Sequence, residues 1–160
     1  MDSDGREADG NTSTSTQAQW LQSQLAASTA PWKVVVLHEP PYSSGSGHGS
    51  TPALQWPFQA WGATAVIAGH DHIYERIVKN GFPYFVVGTG GVSLYGFRDP
   101  PDPDSLVRFN ANYGALLIEA TPTAISFTFY SIAGGAGGTL IDTYDLLAAK
   151  TLFLPLIIRN

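Results

Sequence analysis

Two short apolar runs constrain the fold of this chain more than any other feature of its sequence. Residues 33–37 include three consecutive valines, and residues 63–68 form a second run of the same kind. Continuous apolar runs of this length are typical of strands that are covered on both faces of a sheet. Each run ends at a turn that carries histidine, with His38 after the first and His70 and His72 after the second.

An amphipathic segment precedes the first of these runs. Residues 11–16 contain only Asn, Ser and Thr, and Thr16 is followed three residues later by Gln19, which is the spacing of a capping box. We therefore predict a helix over residues 17–27. Its buried face consists of apolar residues at helical spacing, Ala18, Leu21 and Leu25, with Trp20 beside them. A helix followed by a buried strand is typical of an α/β layer.

The second half of the chain changes in character, from helix and strand to strands alone. Four segments have strand composition and are separated by turn residues: 83–87, 113–120, 125–132 and 139–146. We predict that they form an antiparallel meander. Alternation places Ile125, Phe127 and Phe129 on its core face, and the glycine-rich residues 134–138 supply a hairpin loop.

Composition excludes several classes of protein. Hydrophobic residues make up 44% of the chain, which is typical of a folded globular domain, and no apolar run approaches the roughly 20 residues of a membrane span. The net charge is −5, so we expect no basic surface and no nucleic-acid partner. The acidic residues 1–10 do not resemble a signal peptide. Because cysteine is absent, any metal site must use nitrogen and oxygen ligands.

The histidines are the candidate functional residues. Three of the four, His38, His70 and His72, follow the predicted buried strands, at the edge where open α/β sheets bind ligands. If strand geometry persists, the rings of His70 and His72 project from the same face. Neutral imidazole is a common ligand for Zn and also suits Fe and Mn. Alternatively, each ring bonds a backbone carbonyl separately, but the clustering favours a metal site.

Two sequence blocks carry a resemblance to a known family. Residues 34–44 read VVVLHEPPYSS, and residues 69–76 read GHDHIYER. They resemble the last two metal-binding blocks of the calcineurin-like metallophosphoesterases, specifically the purple acid phosphatase branch, whose patterns are V-x-x-H-x-P-x-Y and G-H-x-H-x-Y-E-R. The resemblance extends over roughly residues 1–146. It implies an α/β fold, the C-terminal half of a four-layer α/β/β/α sandwich.

The resemblance also implies roles for the histidines. His38 and His70 would bind one metal ion and His72 a second, in a complete family site that holds two ions, Fe with Zn, Mn or Fe. His48 would contact the phosphate of a phosphomonoester substrate and donate a proton to the leaving group. Two such ions clamp the attacking and leaving oxygens of an in-line displacement. The alternative for His48 is a solvated loop residue among nearby glycines.

The other ligand blocks of the family, G-D, G-D-x-x-Y and G-N-H, are absent from this chain. We therefore expect the C-terminal half of a catalytic domain: an acidic, polar segment at 1–16, the domain half at 17–147, and a tail, edge strand or linker at 148–160. Alone it is expected to hold one metal ion or none, to turn over weakly at most, and to associate with itself or with a missing N-terminal half. The alternative function is a non-catalytic, single-metal-binding module.

Other hydrolytic and nucleotide-binding chemistries lack their motifs. No serine lies in the G-x-S-x-G pattern of a nucleophile elbow, and the glycine-rich residues 88–91 lack the lysine of a P-loop. The family is often secreted or periplasmic, but this sequence does not fix a compartment.

Overall fold

One helix and eight strands form the part of the chain that the computed structural model describes, residues 1–133 and 137–148. The elements are α1 (Thr16–Ala27), β1 (Val34–Val36), β2 (Ala65–Ala68), β3 (Tyr74–Lys79), β4 (Phe82–Val87), β5 (Ser105–Phe109), β6 (Gly114–Ala120), β7 (Ala124–Ser131) and β8 (Thr139–Leu147), with a 3₁₀ turn at Pro52–Leu54. The predicted mixed α/β class is confirmed. No helix in the described ranges is long and apolar enough to cross a membrane.

The strands form two sheets. The first has five strands in the order β1-β2-β4-β3-β5, in which β1, β2 and β4 run parallel and β3 runs antiparallel to both of its neighbours. The second is the antiparallel sheet β6-β7-β8. Since β1, β2 and β4 are parallel, their carboxyl ends lie at one edge, and the turns that follow them are brought together there.

Helix α1 agrees with the prediction except in its cap and one aromatic residue. Ser15, not Thr16, is the N-cap, because its Oγ accepts a hydrogen bond of 3.3 Å from the backbone N–H of Ala18. The predicted buried face is confirmed for Ala18, Leu21 and Leu25. Trp20 does not belong to it, since its side chain is 57% exposed.

Strand β1 is less covered than predicted. It lies at the edge of its sheet, and although Val35 is buried, Val36 is 58% exposed. The reason is that the second sheet packs against Val34, whereas Val36 does not reach it. Of the two predicted buried strands, β2, one position further into the sheet, is the one that is largely buried along its length.

The prediction of a four-strand meander is wrong for its first strand. Residues 83–87 belong to β4, which lies between β2 and β3 within the first sheet. A two-residue turn at Asn80 and Gly81, with φ of 53° and 80°, joins β3 to β4, and Asn-Gly is the preferred sequence for such a hairpin. The other three predicted strands form the meander. Part of the glycine-rich loop at 134–138 and most of the segment at 148–160 lie outside the described residues.

The first sheet separates two cores. One lies between this sheet and α1, and it includes the aromatic residues Trp56 and Phe58 from the connection that precedes β2. The other lies between the two sheets, where Phe85 stacks on Phe127 with ring centroids 4.7 Å apart. The predicted core face of β7, consisting of Ile125, Phe127 and Phe129, is confirmed.

A buried ion pair joins the two sheets. The carboxylate of Asp142 on β8 accepts hydrogen bonds from the hydroxyl of Tyr74 at 2.7 Å and from the guanidinium of Arg76 at 2.7 and 3.0 Å. Burial alone would raise the pKa of Asp142, but the hydrogen bonds from Arg76 and Tyr74 outweigh it and the pKa is lowered. The charged form of Asp142 is therefore the one that stabilises the fold.

We expect Asp142→Asn to lower the free energy of unfolding by about 3 kcal/mol at neutral pH, because it leaves the Arg76 charge buried without its partner. A lowered pKa in the folded state means that this contribution is present above the unfolded pKa of about 4 and is lost as the pH falls through the folded value. Urea denaturation from pH 3 to 7 measures both effects. The control is Asp145→Asn, an exposed position on the same strand, which should change stability by about 0.5 kcal/mol at most. Equal effects of the two substitutions on stability would contradict a stabilising role for the ion pair between Asp142 and Arg76.

Candidate functional site

The pairing of β1 with β2 continues beyond the strands and brings two histidines together. The backbone N–H of Leu37 donates to the carbonyl of Ile67 at 3.1 Å, and that of Gly69 donates to the carbonyl of His38 at 3.0 Å. As a result, Nε2 of His38 and Nδ1 of His70 lie 3.0 Å apart. These residues are 32 positions apart in the sequence, and only the parallel sheet makes them neighbours.

The turn after β2 is tighter than the predicted continuation of the strand. The N–H of Asp71 bonds the carbonyl of Gly69, and the N–H of Ile73 bonds the carbonyl of Asp71, each at 2.8 Å. His70 lies in the left-handed region, with φ of 63°, which costs a residue with a side chain about 1 kcal/mol or more. The backbone is thus reversed between His70 and β3, and His70 and His72 do not lie on an extended strand.

His72 nevertheless lines the same cleft. Its Nδ1 is 2.9 Å from the carbonyl oxygen of Ser93. A carbonyl only accepts hydrogen bonds, so Nδ1 carries the proton, and Nε2 of the neutral ring keeps its lone pair. The ring stacks on Tyr95 with centroids 4.2 Å apart. The cleft, about 270 Å³, has His38, His70 and His72 on its wall together with residues of the segment 87–92.

His48 approaches from a separate loop. Its ring stacks on that of His70 with centroids 3.8 Å apart and an interplanar angle of 29°, and the side chain is exposed. The ring of Tyr95 is a neighbour of both His48 and His72, with its centroid 5.8 Å from that of His48 and 4.2 Å from that of His72. The structure therefore brings all four predicted histidines to one edge of the first sheet. Tyr95 was not predicted, because no local pattern distinguishes it.

Two buried carboxylates behind the histidines were also missed. Asp71 accepts hydrogen bonds from the loop that carries His48, and Glu75 accepts one from the N–H of Ser44 in the same loop at 2.7 Å. Both side chains are fully buried. Their place inside the block GHDHIYER was the available signal, since acidic residues beside a ligand turn commonly orient it.

The surroundings of His70 favour its neutral form. Burial lowers the pKa of His70, and repulsion from His48 and His38 lowers it further. Neutral imidazole, with a free lone pair, is the form that binds a metal ion.

The donor geometry matches part of a metal site. Two imidazole nitrogens that bind one ion at about 2.0–2.1 Å lie roughly 3.0–3.4 Å apart, and the separation between His38 and His70 falls in this range. Within residues 1–133 and 137–148, however, no three His, Asp or Glu side chains converge in a way that could hold a metal ion. The described residues thus fit two ligands of a metal ion, and the remaining ligands would be water or groups outside this set.

Comparison with known proteins supports a phosphoesterase relationship. The family model for calcineurin-like phosphoesterases matches residues 3–74. Tartrate-resistant acid phosphatase type 5 of Oryctolagus cuniculus is 30% identical over 135 residues, which cover 74% of this chain and 40% of that protein. The chain spans between about a quarter and two fifths of the length of the curated relatives it matches.

Two solved structures share the fold. A purple acid phosphatase from yellow lupin seeds superposes with a TM-score of 0.72 at 20% identity, over 89% of this chain and 29% of that one. GAP50, described as the anchor in the inner membrane complex of Plasmodium, superposes with a TM-score of 0.74 at 25% identity, over 94% of this chain and 48% of that one. The predicted resemblance to the purple acid phosphatase branch is confirmed.

We expect Gly45→Ala to lower the free energy of unfolding by about 1–3 kcal/mol, because its methyl group would overlap the Asp71 carboxylate. The control is Gly5→Ala, where the nearest atom to the added carbon lies 3.9 Å away, so stability should change by about 0.5 kcal/mol at most. Urea denaturation of both variants measures the difference. Equal stability of Gly45→Ala and Gly5→Ala would contradict the close packing of the His48 loop against Asp71.

Proposed function

Because this chain resembles the calcineurin-like phosphoesterases, whose family model matches residues 3–74, we propose that its histidine cleft takes part in the metal-dependent hydrolysis of phosphomonoesters. The observation that carries the proposal is the 3.0 Å approach of His38 Nε2 to His70 Nδ1 at the carboxyl ends of two parallel strands. Each stands in one of the two sequence blocks that resemble those of the family, and both line one cleft.

We propose metal-binding roles for three histidines of the chain. His38 and His70 would hold one metal ion, and His72 would offer Nε2 to a second, with its ring oriented by the carbonyl of Ser93. When bound, such ions supply positive charge for the phosphoryl oxygens and lower the pKa of a water nucleophile. The tight turn at His70 and the stacking of Tyr95 on His72 restrict the two rings, so the ligands are oriented in advance.

His48 is proposed to act on the substrate directly. Its ring is exposed and stacks on that of His70, which lines the cleft, so a phosphate bound beside His70 would be near the His48 ring. A protonated imidazole there would bind a phosphate oxygen and then give its proton to the departing alkoxide. The benefit of that proton depends on the leaving group: it is large for a basic alkoxide and small for an acidic nitrophenolate.

A second candidate function is metal binding without turnover. Two observations favour it. The described residues bring together only two ligands of an ion, and GAP50, which has the same fold, is described as an anchor. Under this hypothesis the chain would bind a metal ion but hydrolyse no phosphate ester.

We expect the purified chain to bind about one equivalent of Zn²⁺, Mn²⁺ or Fe²⁺, because the His38 and His70 pair supplies two nitrogen ligands in place. The variants His38→Ala and His70→Ala should each lose most of this metal, as measured by elemental analysis after gel filtration. His48→Ala is the matched control, since its ring is proposed to face the substrate, and it should keep the metal content of the parent chain. Unchanged metal content in His38→Ala and His70→Ala would contradict the metal assignment.

We expect the metal-loaded protein to hydrolyse, slowly, both an alkyl phosphate, such as glycerol 2-phosphate, and p-nitrophenyl phosphate. His48→Ala should reduce kcat for the alkyl ester by about 100-fold and reduce kcat for the nitrophenyl ester much less, because only the alkoxide needs a proton donor.

Initial rates of phosphate release from the two esters give the ratio, with buffer containing the same metal as the blank. Equal losses for both esters would exclude a proton-donor role for His48. Rates no higher than the blank, in protein that holds metal, would favour the non-catalytic candidate instead.

A further inference from the structure

Asp71 is a buried carboxylate that faces away from the cleft. Its side chain is fully buried, and it is absent from the wall formed by His38, His70 and His72, although it lies between two of them in the sequence. Both of its oxygens are engaged: Oδ1 accepts from the N–H of His48 at 2.8 Å, and Oδ2 accepts from the hydroxyl of Ser43 at 2.6 Å and the N–H of Gly49 at 2.8 Å.

All three donors belong to the loop that carries His48. This loop, residues 43–49, includes three glycines, and the chain at Gly45 passes so close to the Asp71 carboxylate that a side chain there would overlap it. Glycine-rich loops lose much conformational entropy when they become ordered. A buried carboxylate that accepts hydrogen bonds from three donors of such a loop can hold the loop in one conformation. Hydrogen bonds to charged acceptors are stronger than those between neutral groups.

Ser44, near the start of the loop, is also held by the buried carboxylate of Glu75 at 2.7 Å, but the other contacts next to His48 are weaker. The guanidinium of Arg98 donates to the carbonyl of His48 at 2.8 Å, but this side chain is exposed. The N–H of Ser46 bonds the carbonyl of Gly96 in a segment that is itself largely exposed. Asp71 is therefore the principal buried contact of the segment that includes His48 and Gly49.

The sequence position of Asp71 makes this contact specific to the site. Asp71 follows His70 directly, so the residue that fixes the backbone of His48 belongs to the same turn as the imidazole on which His48 stacks. Any shift of the turn would move His70 and the anchor of His48 together. We propose that Asp71 is a positioning residue, which holds His48 against His70 by fixing the backbone of its loop. The proposal rests on the function proposed above for its catalytic consequence, but its structural part stands without it.

The structural test is amide hydrogen exchange and ring NMR of Asp71→Asn, with Asp142→Asn as the matched control. Both substitutions replace a buried carboxylate by an amide, but Asp142 lies on β8, away from the loop. In Asp71→Asn, the amides of His48 and Gly49 should exchange about tenfold faster or more, and the His48 ring signals should move towards free-histidine values as stacking is lost. The control should leave the relative protection of these two amides and the ring signals of His48 unchanged.

A second variant keeps the proposal testable if Asp71→Asn does not fold. Ser43→Ala keeps the carboxylate and removes one of its three donors, so it should increase exchange at His48 and Gly49 by a smaller factor. Unchanged exchange and ring signals in both variants, or the same changes in Asp142→Asn, would overturn the positioning role.

The catalytic consequence is tested separately, by steady-state kinetics with the two esters. Asp71→Asn should reproduce the signature of His48→Ala, a larger loss of kcat for the alkyl phosphate than for the nitrophenyl phosphate. Adding Asp71→Asn to His48→Ala should cause little further loss, because both act through the same ring. Additive losses, or equal losses for the two esters, would overturn the proposal. If the parent protein has no activity, the proposed function fails, while the exchange experiment still decides the role of Asp71.

Discussion

The parallel pairing of β1 with β2 is the constraint on which the histidine cleft depends. Each strand is short, but the hydrogen bonds between them continue into the following turns, through Leu37 and Gly69. This continuation places His38 beside His70 and sets the separation of their nitrogens. The pairing is supported from both sides of the sheet, by α1 on one face and by the second sheet on the other, so the position of the cleft follows from the packing of the whole domain.

The turn after β2 contains several of the residues for which we propose roles. In a few residues it holds a left-handed His70, a buried Asp71 and a His72 whose tautomer is set by a backbone carbonyl. The left-handed backbone of His70 adjoins Asp71, whose hydrogen bonds with the His48 loop help to hold the turn in this shape. We propose metal ligation for the turn that carries His70 and His72 and substrate contact for the loop that carries His48. The carboxylate of Asp71 joins this turn to this loop.

The sequence was informative where a local pattern decides the structure and much less so where distant contacts decide it. The spacing of Ala18, Leu21 and Leu25 predicted the helix, and the apolar runs with their terminal histidines predicted the edge at which the cleft lies. The hairpin at Asn80 and Gly81 had a clear local signal that was overlooked, so β4 was assigned to the wrong sheet. No local signal could show that Val36 extends beyond the second sheet. Nor could one show that Asp71 bonds a loop 22 to 28 positions away.

The metal site at His38 and His70 is tested by an anomalous diffraction map from crystals of the protein grown with Mn²⁺ or Zn²⁺. We predict an ion between the histidines of the two strand-end turns, at about 2.0–2.2 Å from both Nε2 of His38 and Nδ1 of His70. An ion bound elsewhere, with these two nitrogens still hydrogen-bonded to each other at 3.0 Å, would contradict it.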